Sequence, residues 1–325
     1  MGFKVEWGLA RLVAIRDVAD GIRQFDIQPD FPVPAYGPGS HIQVQVLING
    51  QPDVRHYSLV GEPADGLLRI AVKRLPDSRG GSAYMWGLAP GARLTISAPL
   101  NHFDLSAGRP DYLLIAGGIG ITPLYAMARA LARRGAPVRL LYGVRRAADL
   151  AFAEELRALL GDRLRVFVDA EGQTMDFAAE LASVAPGGEV YSCGPAPMMA
   201  AARQAWQALG RPASDFRLET FGAGGGTVAQ PFVARVPRLD LEVTVRPDQT
   251  LLSALQEAGA DLMYDCRRGE CGLCALDVLD VSGGRLDHRD VFLSDHQKAE
   301  GHQMCVCVSR ATGGTVTLDT GHRTS

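Results

Sequence analysis

The sequence predicts a three-part chain of β, α/β and α+β architecture: an antiparallel β-barrel, a doubly wound parallel sheet and a small β-grasp domain. Three observations carry that prediction. Over residues 1–105, short strand-length segments alternate with Pro and Gly clusters, the rhythm of a small antiparallel barrel. From about Asp111 strands alternate with helices, which implies a parallel sheet covered on both faces. Then comes Gly222-Ala-Gly-Gly-Gly-Thr-Val-Ala-Gln-Pro231, Gly-rich and nearly uncharged, which reads as a flexible linker. Beyond it, two strands and a helix lead into a group of cysteines. The expected boundaries are 1–105, 106–222, a linker over 223–231, and 232–325.

The barrel strands are read at Leu9 to Asp17, Gly21 to Gln28, His41 to Leu47, His56 to Val60 and Leu67 to Lys73. Pro32-Val-Pro34 and Tyr36-Gly-Pro-Gly39 punctuate them. In the second part Tyr112 to Ala116 is a buried-strand run, followed by glycines and a helical pattern over Pro123 to Arg134. Val138 to Tyr142, Leu164 to Val168 and Glu189 to Ser192 repeat the strand signal, with helices at Ala148 to Leu160 and Pro195 to Leu209. The third part offers strands Phe232 to Val236 and Leu239 to Val245, then a helix over Thr250 to Ala258 with Thr250 as its cap.

At 325 residues the chain has room for two or three domains with proper cores. Its net charge of −3 and ordinary composition point to neither a nucleic-acid nor a polyanion partner. Charges interrupt the opening Met-Gly-Phe-Lys-Val-Glu-Trp, so no signal peptide is expected. The most apolar stretch, Tyr112 to Ala128, contains Gly117, Gly118, Gly120 and Pro123 and falls short of a membrane span. Of six cysteines, five follow residue 260. That crowding argues against a disulfide framework and fits a reducing cytoplasm.

Those cysteines read Cys266-Arg-Arg-Gly-Glu-Cys271-Gly-Leu-Cys274, with Cys305 and Cys307 further on. C-x4-C-x2-C with a distant fourth Cys is the plant-type [2Fe–2S] spacing. Three thiolates on one short loop converge on a cluster, and a fourth from a neighbouring element closes it. Gly269 and Gly272 suit a loop that curls tightly, and its backbone N–H groups can point at sulfur. Cys271-Gly-Leu-Cys274 alone is also half of a zinc site or a redox dithiol, but zinc more often brings a second C-x-x-C or a His pair. Cys305 and Cys307, at i and i+2, share a face on an extended segment, so spacing does not choose between them. A small mixed sheet with a crossing helix is the usual host of this cluster type, hence a β-grasp ferredoxin domain.

Three upstream motifs suggest what supplies the electrons. Arg55-His-Tyr57-Ser58 is followed by Arg79-Gly80-Gly81-Ser82. Together they offer a guanidinium fork for phosphate, a ring to stack on an isoalloxazine, a hydroxyl donor, and bare backbone N–H groups. Strand alternation puts Arg55 and Tyr57 on one face and Ser58 on the other; taken alone, the first motif is equally a surface strand. Gly117-Gly118-Ile-Gly120-Ile-Thr122-Pro123 sits between a strand and a helix, where glycines let a pyrophosphate approach the backbone and the helix dipole favours it. It is not the G-x-G-x-x-G fingerprint, and its plainer reading is a tight turn with Pro123 in the first helical turn. Cys193-Gly194-Pro195 follows a strand and opens another helix, where such sheets bind ligands, although a buried Cys before a turn is ordinary. Arg145 and Arg146 either face an adenosine ribose or its phosphate, or form a solvated pair.

These motifs, with Glu219-Thr-Phe221-Gly222, occur in an order that resembles the phthalate dioxygenase reductase family, which includes the vanillate demethylase reductases. Essentially the full length is covered. The resemblance implies a flavin-binding β-barrel, a doubly wound NAD domain and a plant-type ferredoxin domain fused at the C-terminus. It implies FMN rather than FAD, NADH as the usual donor, and a separate Rieske-type terminal oxygenase as acceptor, with the reductase a monomer. By motif matching, Arg55, His56, Tyr57, Ser58 and Lys73 hold FMN, with Arg79, Gly80, Gly81 and Ser82 at its phosphate. Gly117, Gly118, Gly120, Thr122, Pro123, Arg145, Cys193 and Gly194 line the NAD site. Ser58, Cys193 and Phe221 stand at the reacting centre, Phe221 covering the flavin face. The family's Cys-Val-Ser-Arg matches Cys307-Val308-Ser309-Arg310, which makes Cys307 the fourth ligand beside Cys266, Cys271 and Cys274, and Cys305 a bystander. The segment from Cys274 to Cys307 is somewhat longer than in relatives.

The expected activity is to take electrons in pairs from NADH and release them singly. Plant-type clusters sit near roughly −400 mV and Rieske centres at about −150 mV or above. That gap of ~250 mV is about four decades in a one-electron equilibrium. The chain has no C-x-H Rieske motif, so the oxygenase is another protein. The competing readings are a flavodoxin-type or NO-detoxifying reductase that feeds a haem, and a non-catalytic electron carrier. The partner is expected to dock around the cluster loop, with Arg267, Arg268 and Glu270 either as contacts or as plain solvated charges.

Overall fold

A computed structural model describes residues 5–48, 50–61, 65–76, 80–221 and 229–321. Arg79, Gly222 and most of the expected linker lie outside the described residues. The chain divides into two compact units, Val5–Glu219 and the part from Thr220 onward.

The first unit opens with an antiparallel sheet. Its strands are β1 (Trp7–Ala19), β2 (Ile22–Pro29), β3 (Ser40–Ile48), β4 (Gln51–Ser58) and β5 (Leu68–Lys73); after the short helix α1 (Gly81–Trp86) come β6 (Arg93–Ser97) and β7 (Leu100–Asn101). They order as β4-β3-β6-β1-β2-β5, with β7 on β3. An antiparallel bridge between Leu59 and Ile70 joins the two ends and closes the sheet into a barrel. Alternate residues fill it: Ile42, Val44 and Val46 of β3, Leu12 of β1 and Phe25 and Ile27 of β2 are fully buried. β4 starts five residues earlier than the sequence pattern suggests. Pro52-Asp53 reads as a turn, yet each pairs with β3 at the edge of the sheet, where Pro is tolerated.

Strands β8 (Tyr112–Gly117), β9 (Val138–Val144), β10 (Leu164–Val168), β11 (Glu189–Cys193) and β12 (Phe216–Glu219) form an all-parallel sheet in the order β10-β9-β8-β11-β12. Helices α2 (Ile121–Arg133), α3 (Ala153–Leu160), α4 (Phe177–Ala182) and α5 (Ala196–Ala208) cover it. Alternation along β8 splits the core between the two faces: Leu114 packs with Leu124 and Leu156, Leu113 and Ile115 with Leu181 and Trp206. The helix expected from Ala148 starts only at Ala153, because Phe152 takes a left-handed backbone (φ 59°) that breaks it from the preceding turn. The chain leaves β8 for β9 and β10, then returns to β11 on β8's other side. That reversal is a topological switch point, and ligands of such sheets sit at its carboxyl edge.

The second unit has β13 (Phe232–Val236), β14 (Leu241–Val245), α6 (Leu251–Glu257), β15 (Ala275–Ser282), β16 (Leu286–Asp287), α7 (Asp295–Glu300), β17 (Gln303–Cys305), β18 (Arg310–Ala311) and β19 (Thr315–Asp319). The sheet runs β14-β13-β19-β15-β17, parallel only between β13 and β19. Leu251, Leu252 and Leu255 of α6 pack on its core, the β-grasp arrangement. Thr250 caps α6, its hydroxyl accepting from Ser253 N–H at 3.0 Å. No helix among the described residues is long and apolar enough to cross a membrane.

Candidate redox site

The cysteine loop connects α6 to β15. Its first thiol, Cys266, is buried and accepts backbone N–H groups from Arg268, Glu270 and Cys271, each at 3.4 Å. A loop that aims three amides at one sulfur must turn sharply, and it does so through positive φ at Arg267 (52°), Gly269 (75°) and Gly272 (74°). Glycine is required at Gly269 for a second reason: a Cβ there would lie 2.8 Å from Asp290 Cα. At Gly272 a Cβ would strike the Phe292 ring at 2.2 Å.

The segment 288–294 underpins the loop. The N–H groups of Val291 and Phe292 both donate to Gly269 O. Buried Asp290 accepts from Ser309 Oγ and from Leu293 N–H, each at 2.9 Å. Burial alone would raise its pKa, but His288, the Leu293 amide, Lys298 and Ser309 together hold it below the usual carboxylate range.

Cys266 lies within hydrogen-bonding reach of Cys271 and Cys307, and Cys274 of Cys305 and Cys307. Thiol donors from Cys271 and Cys307, helped by the Arg268 and Glu270 amides, push Cys266 far below an ordinary thiol. Donors from Cys305 and Cys307 bring Cys274 down to about 4. Among the described residues no three His, Cys, Asp or Glu side chains close on one point as ligands of a single ion do. A two-iron cluster asks for something else, four thiols gathered round one site, and Cys266, Cys271, Cys274 and Cys307 interact with one another in that way. The donor set fits the cluster.

Cys305 and Cys307 do not share a strand face. β17 ends at Cys305, and a turn comes next in which Val308 and Ser309 N–H return to Cys305 O. Cys307 reaches both ends of the loop, Cys305 only Cys274.

In the first unit the two barrel motifs meet. A Cβ on Gly81 would fall 2.5 Å from Arg55 Nε, so the guanidinium lies against the bare Gly80-Gly81 backbone. Gly80 is left-handed (φ 92°), and buried Ser82 Oγ accepts from Leu75 N–H at 3.3 Å. Arg55 also holds Asp53 at 2.7 Å. Burial, opposed by the Arg55 charge, raises the Tyr57 phenol well above its ordinary value and keeps it protonated. His56 stacks on His41 with ring centroids 5.3 Å apart, and His41 faces His102 at 5.2 Å. Lys73 ends β5 opposite Ile22.

Ser58 is buried, and its hydroxyl donates to Glu219 Oε2 at 3.4 Å. Glu219 is the last residue of β12, in register with Cys193, which is itself in register with Ala116 of β8. One sheet edge therefore gathers Ser58, Glu219, Cys193 and the glycine turn. The turn is there because nothing larger fits: a Cβ on Gly120 would lie 2.1 Å from Cys193 O, one on Gly117 2.5 Å from Pro195 Cδ, and one on Gly194 2.9 Å from Gly117 Cα. Gly118 has open space but φ of 53°. Thr122 is buried with its hydroxyl on Ile119 O at 3.0 Å, and Pro123 is buried in the first turn of α2. Arg145 is exposed. Arg146 is engaged elsewhere, with Asp20 at 2.8 Å and Asp149 at 2.6 Å.

Two expectations for the cluster loop are corrected. Arg268 is neither a solvated charge nor an outward contact: it is buried and paired with Glu270 Oε2 at 3.0 Å. Glu270 is likewise turned inward, onto Thr220. Arg267 lies over the Tyr264 ring, 4.3 Å from its centroid. Sequence alone assigns no individual role to Glu219, Thr220 or Asp290; the motif Glu219-Thr-Phe221 is the only signal for the first two.

A sequence profile for the 2Fe-2S iron-sulfur cluster binding domain matches residues 235–312, and one for the oxidoreductase NAD-binding domain matches residues 114–204. The chain is 39% identical over 317 residues to the putative toluene-4-sulfonate monooxygenase system reductase subunit TsaB2 of Comamonas testosteroni, covering 95% of this chain and 97% of the relative. It is 36% identical over 312 residues to the heme-dependent oxidative N-demethylase beta subunit of Ectopseudomonas mendocina (strain ymp), again 95% and 97%. Among solved structures it resembles phthalate dioxygenase reductase, with a TM-score of 0.78 and 30% identity over 96% of this chain and 98% of that one.

Proposed function

Because the chain belongs to the phthalate dioxygenase reductase family of NAD-binding, [2Fe–2S]-bearing oxidoreductases, we propose that it is the reductase component of an oxygenase or O-demethylase system. It carries electrons from NADH through FMN to its own cluster and on, one at a time, to a Rieske-type oxygenase. The observation that carries this reading is the shared sheet edge of Ser58, Glu219, Cys193 and the glycine turn in a chain that also gathers four thiols.

The bound flavin supplies hydride acceptance, and the bound cluster supplies single-electron storage. The chain's own residues bind and orient them. Arg55 with the Gly80-Gly81-Ser82 backbone cradles a phosphate. Tyr57 offers a ring that stays neutral. Ser58 presents a hydroxyl that Glu219 orients by accepting its proton in a hydrogen bond. Gly117, Gly118, Gly120 and Gly194 admit a pyrophosphate to the backbone at the start of α2, with Thr122 and Pro123 fixing the turn. Arg145, exposed, would reach the adenosine side. Cys193 lies beside the nicotinamide position, and Phe221 is the aromatic cover. His56 acts through its stack on His41, and Lys73, at the end of β5, would add a cation to the flavin site. Cys266, Cys271, Cys274 and Cys307 would hold the cluster, and Cys305 would not. The working division is 1–105, 106–222, linker 223–231, and 232–325, in a cytoplasmic monomer.

A haem acceptor is the second reading, favoured by the likeness to the N-demethylase subunit. The purified holo-protein, given NADH and either a Rieske oxygenase or the haem protein encoded beside it, separates the two. Reduction of the Rieske centre, followed by its electron-spin signal, is expected. Reduction of haem alone overturns the Rieske assignment, and no reduction of the protein's own cluster by NADH overturns the whole reading.

A further inference from the structure

The cluster loop is bound to the chain segment that enters its unit. Thr220, the first residue of that unit, is buried; its N–H donates to Glu270 Oε1 at 2.6 Å. Its hydroxyl lies 3.1 Å from both Glu270 Oε1 and the Arg268 carbonyl. The other oxygen of Glu270 pairs with the buried Arg268 guanidinium at 3.0 Å. The amides of these same two residues, Arg268 and Glu270, point at Cys266 Sγ. Thr220 directly follows Glu219, whose carboxylate holds Ser58.

We infer that Glu270, Arg268 and Thr220 form a latch of positioning residues that fixes the backbone around the first cluster ligand, Cys266. The latch thereby tunes the cluster that the loop would hold. Its physical basis is the cost of burying charge. A carboxylate in such a place is tolerated only when fully partnered, and here the partners are one guanidinium, one amide and one hydroxyl. The amide contact, at 2.6 Å, is the short, charge-assisted one. Removing any partner leaves the others misaimed, and the two amides on Cys266 Sγ move with the backbone that carries them. The electron density on that sulfur changes with them.

The latch rests on the proposed path from flavin to cluster, so the unmodified holo-protein is measured first. If NADH reduces no cluster there, the path fails and not the latch. Three variants are then compared: Glu270→Ala, Glu270→Gln and Thr220→Val. Stopped-flow absorbance reads flavin bleaching and cluster reduction separately, and electron-spin titration reads the cluster midpoint potential and signal shape. Flavin bleaching by NADH is the internal reference and is expected to hold. Cluster reduction, per cluster present, is expected to slow by about ten-fold or more in Glu270→Ala, within what a misplacement of ~1 Å imposes. The potential should move as well. Glu270→Gln keeps an acceptor for the Thr220 amide and should recover part of the rate, while Thr220→Val, which removes only the hydroxyl, should show an intermediate loss. If Glu270→Ala does not retain its cluster, Thr220→Val and Glu270→Gln decide. An unchanged transfer rate per cluster and an unchanged potential in the variants that load overturn the latch, whatever happens to their melting temperature.

Discussion

Gly120→Ala sets two effects of opposite sign against each other. Gly120 has φ of −62° and ψ of −5°, an ordinary helical backbone that any residue adopts. On conformational grounds alone, alanine at a compatible site stabilises by ~0.4–1 kcal/mol, because the unfolded chain loses freedom. The packing says otherwise. The new Cβ would sit 2.1 Å from Cys193 O, 2.5 Å from its carbonyl carbon and 2.8 Å from Gly194 N, all backbone atoms. Reaching even 3.0 Å from the oxygen requires the two turns to part by 0.9 Å (3.0 less 2.1). Overpacking of this kind costs ~1–3 kcal/mol, so the net is a destabilisation of about 1–2 kcal/mol. For a unit of this size that lowers Tm by roughly 2–8 °C. The parted turns are those proposed to hold the dinucleotide, and a shift of ~1 Å there costs up to ~100-fold in rate. NADH–ferricyanide kcat/KM is therefore expected to fall ~10–100-fold, with flavin and cluster absorbance retained. Gly118→Ala is the control: it meets φ of 53° but no atom within 4 Å, so it carries backbone strain without prying the turns apart. A Gly120→Ala protein with wild-type Tm and wild-type NADH kinetics would refute the reasoning.

Three more outcomes are expected from the same geometry. Cys266→Ser should abolish the cluster's electron-spin signal while NADH–ferricyanide turnover persists; loss of both in a folded protein would count against a flavin-first path. Glu219→Ala should slow NADH-driven flavin reduction by about ten-fold or more, since the Ser58 hydroxyl loses its acceptor, and single-turnover absorbance measures it. Glu189, buried in β11, is raised by desolvation but lowered further by hydrogen bonds from Ser106, Tyr191 and Arg217, leaving its folded pKa below the usual value. Its stabilisation is present above the unfolded carboxyl pKa of about 4.3 and is lost as pH falls through the folded one. Melting curves of Glu189→Gln should accordingly lie below wild type at neutral pH and draw level with it in acid, and a constant gap down to low pH would contradict the assignment.

Where local pattern and burial coincide, the sequence is readable. The five residues Tyr112 to Ala116 are apolar because β8 is buried on both faces, and the parallel sheet is legible from that run and its three repeats. The cysteine spacing identifies the loop because three ligands are local. The chain beyond Cys274 is different. β15 of the second unit shows no clean alternation, since it is half-exposed and exposes Leu279 outright; only its partners across the sheet make it a strand. β12, four residues long, is legible only as the neighbour of β11.

The site divides along the same line. Motifs that work through backbone shape can be seen in advance, because glycine and proline carry their geometry with them, as at Gly120, Gly269 and Pro123. Contacts between carboxylates and distant partners cannot. Ser58 and Glu219 are 161 residues apart, and Thr220 and Glu270 50. Nothing in the residues around Glu270 distinguishes it from a surface charge, and a loop reading Arg-Arg-Gly-Glu looks solvated. Burial reverses that expectation for a physical reason. An amide, a hydroxyl and a guanidinium converge on one carboxylate, so the charge is matched inside rather than by water. The polar residues that connect the parts of an electron path are the ones a sequence hides best, because their partners are supplied by the fold.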